Sequence, residues 1–241
     1  GSSCWIATTG CAPIVDIQYR PFVFAHIEPG WFTSAVSIFS GGSSLRWAKH
    51  LLCGEMKPEE AYDQINEMIQ EVPAGSGGLL FNPSLGGGSN HRNCPDIRGA
   101  FLGLNLSTTR EEMLRAVYEG VALDLYDLWR LFSADLPPPD TLLLSGGGSK
   151  SQVWRQIFAD VFNLNIRKSI SDQHAASLGA AAIALRCAGM WHDYSPMDAY
   201  YIQGEYLTPQ QDQVVRYREV YRRFKLSADL LTLLAQGHAS I

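Results

Sequence analysis

The residues best suited to chemistry form a glycine-rich turn, which lies between a short apolar run and a predicted helix. The apolar run covers residues 142–144, the glycines occupy 146–148, and the helix is predicted over 149–163. Glycine lets a ligand approach the backbone because it has no Cβ. The helix that follows presents free N–H groups and the positive end of its dipole. This geometry favours a nucleotide, with either its phosphates or its purine and ribose lying across the glycines.

The turn differs from the two common phosphate-binding motifs. Ser149 separates the last glycine from Lys150, whereas a P-loop has a glycine directly before its lysine. A dinucleotide-binding turn has the spacing Gly-x-Gly-x-x-Gly, and no glycine fits that spacing after Gly148. The glycines alone therefore leave open a second interpretation, a strand-to-helix connection that binds no ligand.

The composition is that of an ordinary globular protein and argues against several functional classes. The 241 residues are 46% hydrophobic and 18% charged, which suits one large domain or two small ones. The net charge of −5 and the lack of a basic cluster argue against a nucleic-acid-binding surface. The longest run of small and apolar residues, 175–185, is too short to span a bilayer, so no membrane association is expected.

Cysteine usage favours a reducing compartment. The five cysteines are odd in number and none forms a Cys-x-x-Cys pair, which predicts reduced thiols in a cytoplasmic protein rather than disulfides or a zinc site. The chain begins Gly1-Ser2-Ser3-Cys4, without Met and without the basic region of a secretory signal. We interpret this start as an artificial edge or a cut through a longer protein.

Strands are predicted where Val, Ile, Phe and Tyr cluster between turn residues. Two near the start, at 4–9 and 14–27, predict a short antiparallel meander. Because strands and helices alternate after residue 79, we expect α/β packing. The shorter strands are predicted at 79–81, 101–104, 142–144 and 165–168.

Helices are predicted from capping residues and from apolar residues at helical spacing. Thr108 and Glu111 predict a capping box, and the long helix behind it runs to about Phe132. Glu111 and Arg115 would pair one turn apart on that helix. The other helices are predicted to begin near residue 43, near Pro58 and at Ala175.

The last part of the chain predicts a helix or helix pair over 209–236. Thr208 is a suitable N-cap, and Pro209 suits the first helical position. Three aromatic residues on this helix are interpreted as docking residues rather than as a ligand site. They are Tyr217, Tyr221 and Phe224.

Several segments together resemble one family. The pattern Gly-Gly-Gly-Ser-Lys-Ser-x-x-Trp-x-Gln-x-x-Ala-Asp, at 146–160, resembles the adenosine motif of the FGGY carbohydrate kinases. Phe-Leu-Gly-Leu at 101–104, Arg-Ala-Val-Tyr-Glu-Gly-Val-Ala at 115–122 and Leu-Gly-Ala-Ala at 178–181 are similar to further segments of that family. Within it, the xylulokinases look most similar, through Trp154 and the stretch 42–47.

The resemblance implies an actin-like, two-lobed sugar kinase built from ribonuclease-H-like domains, each a mixed sheet flanked by helices. Such enzymes transfer the γ-phosphate of Mg-ATP to a hydroxyl of a ketose or polyol. Residues 1–241 would be the C-terminal, ATP-binding lobe, and an absent N-terminal lobe would hold the sugar. The catalytic aspartate is expected before Gly1, so no catalytic base and no metal ligand are predicted within the chain.

The resemblance also assigns ATP-binding roles to six residues. On the phosphate side, Ser2 would bind the β- and γ-phosphates, with Gly42 and Arg46 beside them. Under the adenosine would lie Gly147 and Gly148, with Ser151 where some members have asparagine. Simpler interpretations remain open for the phosphate side: Ser2 as a frayed end, Gly42 as a residue that only precedes a helix, and Arg46 as a surface charge.

The sequence departs from the family pattern at two places, and the first of them leaves the acceptor open. Residues 86–88 are all glycine where the family usually has Gly-Glu-Arg, and Gln173-His174 stands where a glutamate is common. The acceptor is predicted as a pentulose such as D-xylulose, with ribulose, another polyol or glycerol as alternatives. A non-catalytic nucleotide-binding or assembly module is the competing interpretation. The expected partners are a sugar, the missing lobe and a second copy of the chain contacting through the final helix.

Overall fold

The computed structural model describes residues 2–57, 60–88, 92, 94–134, 136–171, 174–202 and 204–237. The chain divides into two units, 1–138 with 215–241 and 139–214, and each is described by itself. The predictions made for Gly1, Pro58, Glu59 and Gln173 lie outside the described residues.

The secondary structure alternates between short strands and helices of very different lengths. The strands are β1 Cys4–Gly10, β2 Phe22–Ala25, β3 Phe32–Ile38, β4 Leu80–Asn82, β5 Ala100–Leu102, β6 Thr141–Leu144, β7 Asn165–Lys168 and β8 Tyr206–Leu207. The helices are α1 Gly41–Leu52, α2 Ala61–Gln70, α3 Arg110–Phe132, α4 Gln152–Phe162, α5 Ala175–Cys187, α6 Ala199–Ile202 and α7 Gln211–Ala235.

The first unit contains an antiparallel sheet whose central strand the sequence did not predict. The strand order is β1-β3-β2, so the predicted meander of consecutive strands is wrong. The predicted strand at 14–27 is also too long, because Asp16 accepts hydrogen bonds from the N–H groups of Gln18 and Tyr19 and closes a turn there. The central strand buries Val36 and Ile38 completely or nearly so.

The long helix α3 forms the core of the first unit, as its spacing predicted. It buries Leu114, Val117, Val121 and Leu128, and Phe132 at its end is also buried. The helix packs on α1, α2, β3 and β4. The apolar residues at helical spacing therefore mark the face that the rest of the unit covers.

The start of α3 lies one residue later than predicted. Thr109 and Glu112 form the capping box, whereas Thr108 accepts a hydrogen bond from the N–H of Asn105 at 3.0 Å. The predicted Glu111–Arg115 pair is also wrong, since Arg115 pairs with a carboxylate one turn further along the helix.

The final helix α7 docks on the first unit through its aromatic residues. Tyr217, Tyr221 and Phe224 are all buried, which confirms their predicted docking role. The helix begins at Gln211 and not at Pro209. The N-cap position is therefore Gln210, whose N–H donates to Asp160, and not Thr208, whose carbonyl accepts a hydrogen bond from the Gln156 side chain.

The second unit is α/β, with a mixed three-stranded sheet. β6 and β7 are parallel, β8 is antiparallel to β7, and the order is β6-β7-β8. Helix α4 connects the two parallel strands. It begins later than the predicted helix, because residues 147–150 form a 3₁₀ turn and Ser151 is the N-cap.

Candidate functional site

The glycine turn lies at the carboxyl edge of the parallel strands in the second unit. The register pairs Leu144, the last residue of β6, with Lys168, the last residue of β7. The N–H of Ser169 donates to the Leu144 carbonyl at 2.8 Å and ties the two strand ends together. Ligands of open α/β sheets bind at this edge, because the loops that follow the strands meet there.

The three glycines of this turn differ in what surrounds them. A Cβ at Gly146 or Gly147 would meet no atom of the described residues within 4 Å, so the backbone there is open. A Cβ at Gly148 would instead overlap the six-membered ring of Trp154, with Cε3 at 2.9 Å. Protein packing therefore requires Gly148, whereas the open backbone at Gly146 and Gly147 fits a flat ligand lying across it.

Ser151 caps the helix that follows the glycine turn. Its hydroxyl accepts a hydrogen bond from the N–H of Trp154 at 3.1 Å and caps α4, and the residue is 9% exposed. The cap fixes where α4 begins and so fixes the end of the glycine turn. A contact from Ser151 to a nucleotide remains a prediction.

The sequence did not single out Arg155, whose side chain donates hydrogen bonds to carbonyls of the glycine turn. The residue is 3% exposed, and its Nη1 donates to the carbonyl of Ser149 and, at 3.4 Å, to that of Lys150. Its Nη2 forms an ion pair with Glu205. The arginine lies within the adenosine-like motif, so its position was visible in the sequence, but its contacts depend on β8.

In the first unit, the N-terminus of α1 brings together two of the predicted phosphate-side residues. The N–H and the hydroxyl of Ser43 both donate to the Ser2 carbonyl, at 2.9 and 3.1 Å. Gly42 directly precedes Ser43, and Gly41 lies so close to β1 that a Cβ there would be 2.6 Å from the Cys4 nitrogen. Ser2 is thus tied to the first turn of α1.

The α1 N-terminus has the features of an anion site. Among the described residues no side chain caps it, and its first turn contains no acidic residue. Ser40, at the N-cap position, uses its hydroxyl to accept from the N–H of Gly86 at 2.8 Å. Burial raises the pKa of the neighbouring Cys4 thiol to about 11, which keeps it neutral. The first N–H groups of a helix can bind anions, and in α1 the Ser43 N–H is already taken by the Ser2 carbonyl.

Arg46 lies one helical turn after Gly42, on the exposed part of α1. Burial raises the pKa of Tyr62, and the positive charge of Arg46 opposes that rise. The Lys49 ammonium also lies 4.8 Å from the centre of the Tyr62 ring. These two cations give the exposed side of α1 a positive charge.

The glycines at 86–88, which replace the family's Gly-Glu-Arg, are required by local packing. A Cβ at Gly86 would lie 2.8 Å from the Ser40 hydroxyl, and one at Gly88 would lie 2.8 Å from the Cys94 carbonyl. Gly87 has a φ of +96°, which side chains rarely adopt. This segment therefore forms a compact backbone turn beside α1 instead of carrying charged side chains.

Other candidate groups are few. His174 is exposed at the N-terminal end of α5. In the parts of the chain that the structure describes, no three His, Cys, Asp or Glu side chains form a metal-binding group. The described helices also include none that is both long and apolar enough to cross a membrane.

Similar proteins in sequence are sugar and sugar-acid kinases. The chain is 27% identical over 247 residues to a xylulose kinase of Staphylococcus epidermidis, covering 95% of this chain and 48% of that protein. It is 30% identical over 226 residues to a gluconokinase of Bacillus subtilis, covering 90% and 44%. The chain thus spans about half the length of the curated relatives it matches.

Solved structures agree with the sequence comparison. The fold matches a ligand-bound xylulose kinase from Lactobacillus acidophilus with a TM-score of 0.84 and 26% identity, over 96% of this chain and 46% of that one. A gluconate kinase from the same species matches with a TM-score of 0.84, 26% identity and the same coverage. Residues 1–188 match the C-terminal domain of the FGGY family of carbohydrate kinases, and the chain therefore belongs to that family.

Proposed function

We propose that this chain is the ATP-binding lobe of a kinase that phosphorylates a hydroxyl of a pentulose such as D-xylulose. The observation that carries the proposal is the open backbone at Gly146 and Gly147, at the carboxyl edge of the parallel strands. Family membership supports phosphoryl transfer to a carbohydrate. Both xylulose kinases and a gluconokinase are similar to the chain, so the pentulose is the more specific part of the proposal.

In this proposal each unit has a separate task. In the second unit, Gly147 and Gly148 lie under the adenosine and Ser151 lies beside it. In the first unit, Ser2, Gly42 and Arg46 contact the phosphates, where an arginine stabilises the charge that develops on the transferred group.

Magnesium enters the proposal with ATP. Mg²⁺ usually binds through one or two carboxylates, waters and substrate phosphates, and it neutralises charge on the phosphate oxygens. We therefore expect the ion to bind mainly through ATP. The residues of this chain hold the nucleotide and its phosphates in place.

The sugar contacts and the catalytic base are proposed to belong to the part of the enzyme that this chain does not match. The curated relatives are about twice as long as the matched segment. We therefore expect the chain by itself to bind ATP without phosphorylating a sugar. Turnover by the 241-residue chain alone would contradict this assignment of the base.

A leucine at Gly147 tests the nucleotide site directly. Because a Cβ there meets none of the described protein atoms within 4 Å, Gly147→Leu should change the unfolding midpoint little but should fill the space above the turn. We expect the Kd for ATP, measured by titration calorimetry, to rise at least tenfold. The matched control is Gly10→Leu at the end of β1, where the nearest atom is the Ala12 carbonyl at 3.9 Å. Equal ATP affinity in wild type and Gly147→Leu would refute the site.

A non-catalytic nucleotide-binding module is the second candidate. It is favoured by the compact turn at 86–88, which lacks the family's charged pair. Full-length protein assayed with D-xylulose, D-ribulose, gluconate and glycerol separates the candidates. Phosphorylation of one of these supports the kinase and names its acceptor, whereas ATP binding without phosphorylation of any supports the module.

A reducing compartment is also part of the proposal. All five cysteines are free thiols, at positions 4, 11, 53, 94 and 187. Free thiols on the surface, such as Cys11 and Cys187, are typical of proteins that remain in the cytoplasm.

A further inference from the structure

Arg155 is an unusual residue because its charged side chain is buried in the second unit and donates hydrogen bonds to main-chain carbonyls. The residue is 3% exposed, and one of its amino nitrogens serves the carbonyls of Ser149 and Lys150. These two residues end the 3₁₀ turn that the glycines begin. A guanidinium that reaches two consecutive carbonyls fixes the path of the backbone between them.

The register of the sheet explains how Glu205 reaches this arginine. Leu144 pairs with Lys168 across β6 and β7, and the Lys168 N–H donates to the Glu205 carbonyl at 2.8 Å. Residues at the start of β8 therefore lie at the same edge as the glycine turn. Gly204 permits this approach, because a Cβ there would overlap the Lys168 carbonyl oxygen.

The contacts of Arg155 are better suited to positioning than to stability. Removing a guanidinium from water is costly, and its Nε has no hydrogen-bond partner among the described residues. Its ion-pair partner Glu205 has a side chain that is 62% exposed, so the pair contributes little by itself. A buried charge with such incomplete compensation is weak evidence of stabilisation, whereas its contacts with two carbonyls of the turn are suited to positioning.

We infer that Arg155 is a positioning residue for the nucleotide-binding turn, and that Glu205 in turn orients Arg155. The inference rests on the proposed nucleotide site and extends it to two residues that do not touch the ligand. Nη1 of the guanidinium holds the carbonyls of Ser149 and Lys150, while Nη2 pairs with Glu205. The turn thereby keeps the open backbone at Gly146 and Gly147 in the conformation that accepts a nucleoside.

Three variants of this chain test the inference, with titration calorimetry for ATP and for adenosine and with thermal unfolding in parallel. Arg155→Lys keeps the charge but loses the fork, and we expect the Kd of both ligands to rise about tenfold, as for one lost charge-assisted hydrogen bond. Glu205→Gln should raise both constants by a smaller factor. Arg115→Lys, at another buried arginine, is the matched control and should lower the unfolding midpoint without changing either Kd.

The outcomes separate this inference from the proposed function. If wild type binds ATP and both Arg155→Lys and Glu205→Gln bind it equally well, the inference is overturned while the nucleotide site stands. The inference is likewise overturned if these variants, like Arg115→Lys, change only the unfolding midpoint. If wild type binds neither ligand, the proposed site fails and the inference fails with it. If Arg155→Lys does not fold, the Kd values of Glu205→Gln test the inference, because Glu205 is largely exposed and its substitution should leave the fold intact.

Discussion

The Arg115 guanidinium donates from Nε to the Glu119 carboxylate at 3.0 Å, one turn further along α3, and both residues are buried. Glu119 also accepts from the Ser76 hydroxyl at 2.8 Å and from the Tyr217 hydroxyl at 2.9 Å, while Arg115 donates to the Ile69 carbonyl. The Arg-Ala-x-x-Glu-Gly segment that resembles the family thus joins α2, α3, α7 and the turn at 76–78. Its role in this chain is structural.

Removing the charge of Glu119 should therefore destabilise the protein strongly. Glu119→Gln leaves the buried Arg115 without its counterion, and we expect a loss of about 3–5 kcal/mol in the free energy of unfolding, measured with urea. Glu219→Gln is the control, since its ion pair with Arg222 is exposed and should change stability by less than about 1 kcal/mol. Similar losses in the two variants would contradict a structural role for the buried pair.

Tyr217 should make stability fall at alkaline pH. Burial raises the pKa of Tyr217 well above its usual value of 10, and the Glu119 charge raises it further. Below pH 10 the phenol is protonated in both states. Above pH 10 the unfolded chain loses this proton while the folded chain keeps it, so the free energy of unfolding decreases as pH rises. Urea unfolding across this range should show a shallower decrease for Tyr217→Phe than for wild type, and equal slopes would refute the prediction.

Alanine substitutions at the adjacent Gly147 and Gly148 should differ in how much they reduce the stability of the fold. Gly148→Ala places a methyl group against the Trp154 ring and should cost about 1–3 kcal/mol through overpacking. The added methyl of Gly147→Ala meets no atom of the described residues within 4 Å and should change stability by less than about 1 kcal/mol. Scanning calorimetry of both variants measures the difference, and an equal effect at the two positions would show that Trp154 does not pack as described.

Introducing the Glu-Arg pair of the family at positions 87 and 88 should lower the stability of this chain. The double variant Gly87→Glu and Gly88→Arg forces a side chain into a positive-φ position and another against the Cys94 carbonyl. We expect a loss of at least about 2 kcal/mol in stability, from backbone strain and overlap. Urea unfolding provides the measurement. Unchanged stability would mean that the turn adapts readily, and that packing does not explain its glycines.

The exposed leucines of α7 should mediate contact with a second copy of the chain. Leu226, Leu230, Leu233 and Leu234 recur at helical spacing, and their side chains are 47–62% exposed. We expect wild type to sediment as a dimer and Leu230→Glu with Leu234→Glu to sediment as a monomer. The unfolding midpoint of the dissociated variant should stay close to that of wild type at low concentration, because these residues lie outside the core. A monomeric wild type at all concentrations would exclude this contact.

Much of the local structure could be predicted because it depends on neighbouring residues. The apolar period of α3 predicted both its length and its buried face, from Leu114 to Phe132. The glycine turn was predicted between a strand and a helix, and it lies there. The capping box was displaced by one residue because consecutive threonines and consecutive glutamates satisfy the same spacing, and only the backbone path selects Thr109 and Glu112.

The sequence by itself determined the periodic elements, their approximate order and the family, since each follows from residues close together in the chain. Tertiary structure decided that Phe32–Ile38 is the central strand, because strand order depends on pairing between distant segments. It also decided that Gly148 serves Trp154 while Gly147 faces open space. Three glycines in a row look alike in sequence. Their roles differ because the surrounding atoms come from a side chain several residues away and from the packing around it.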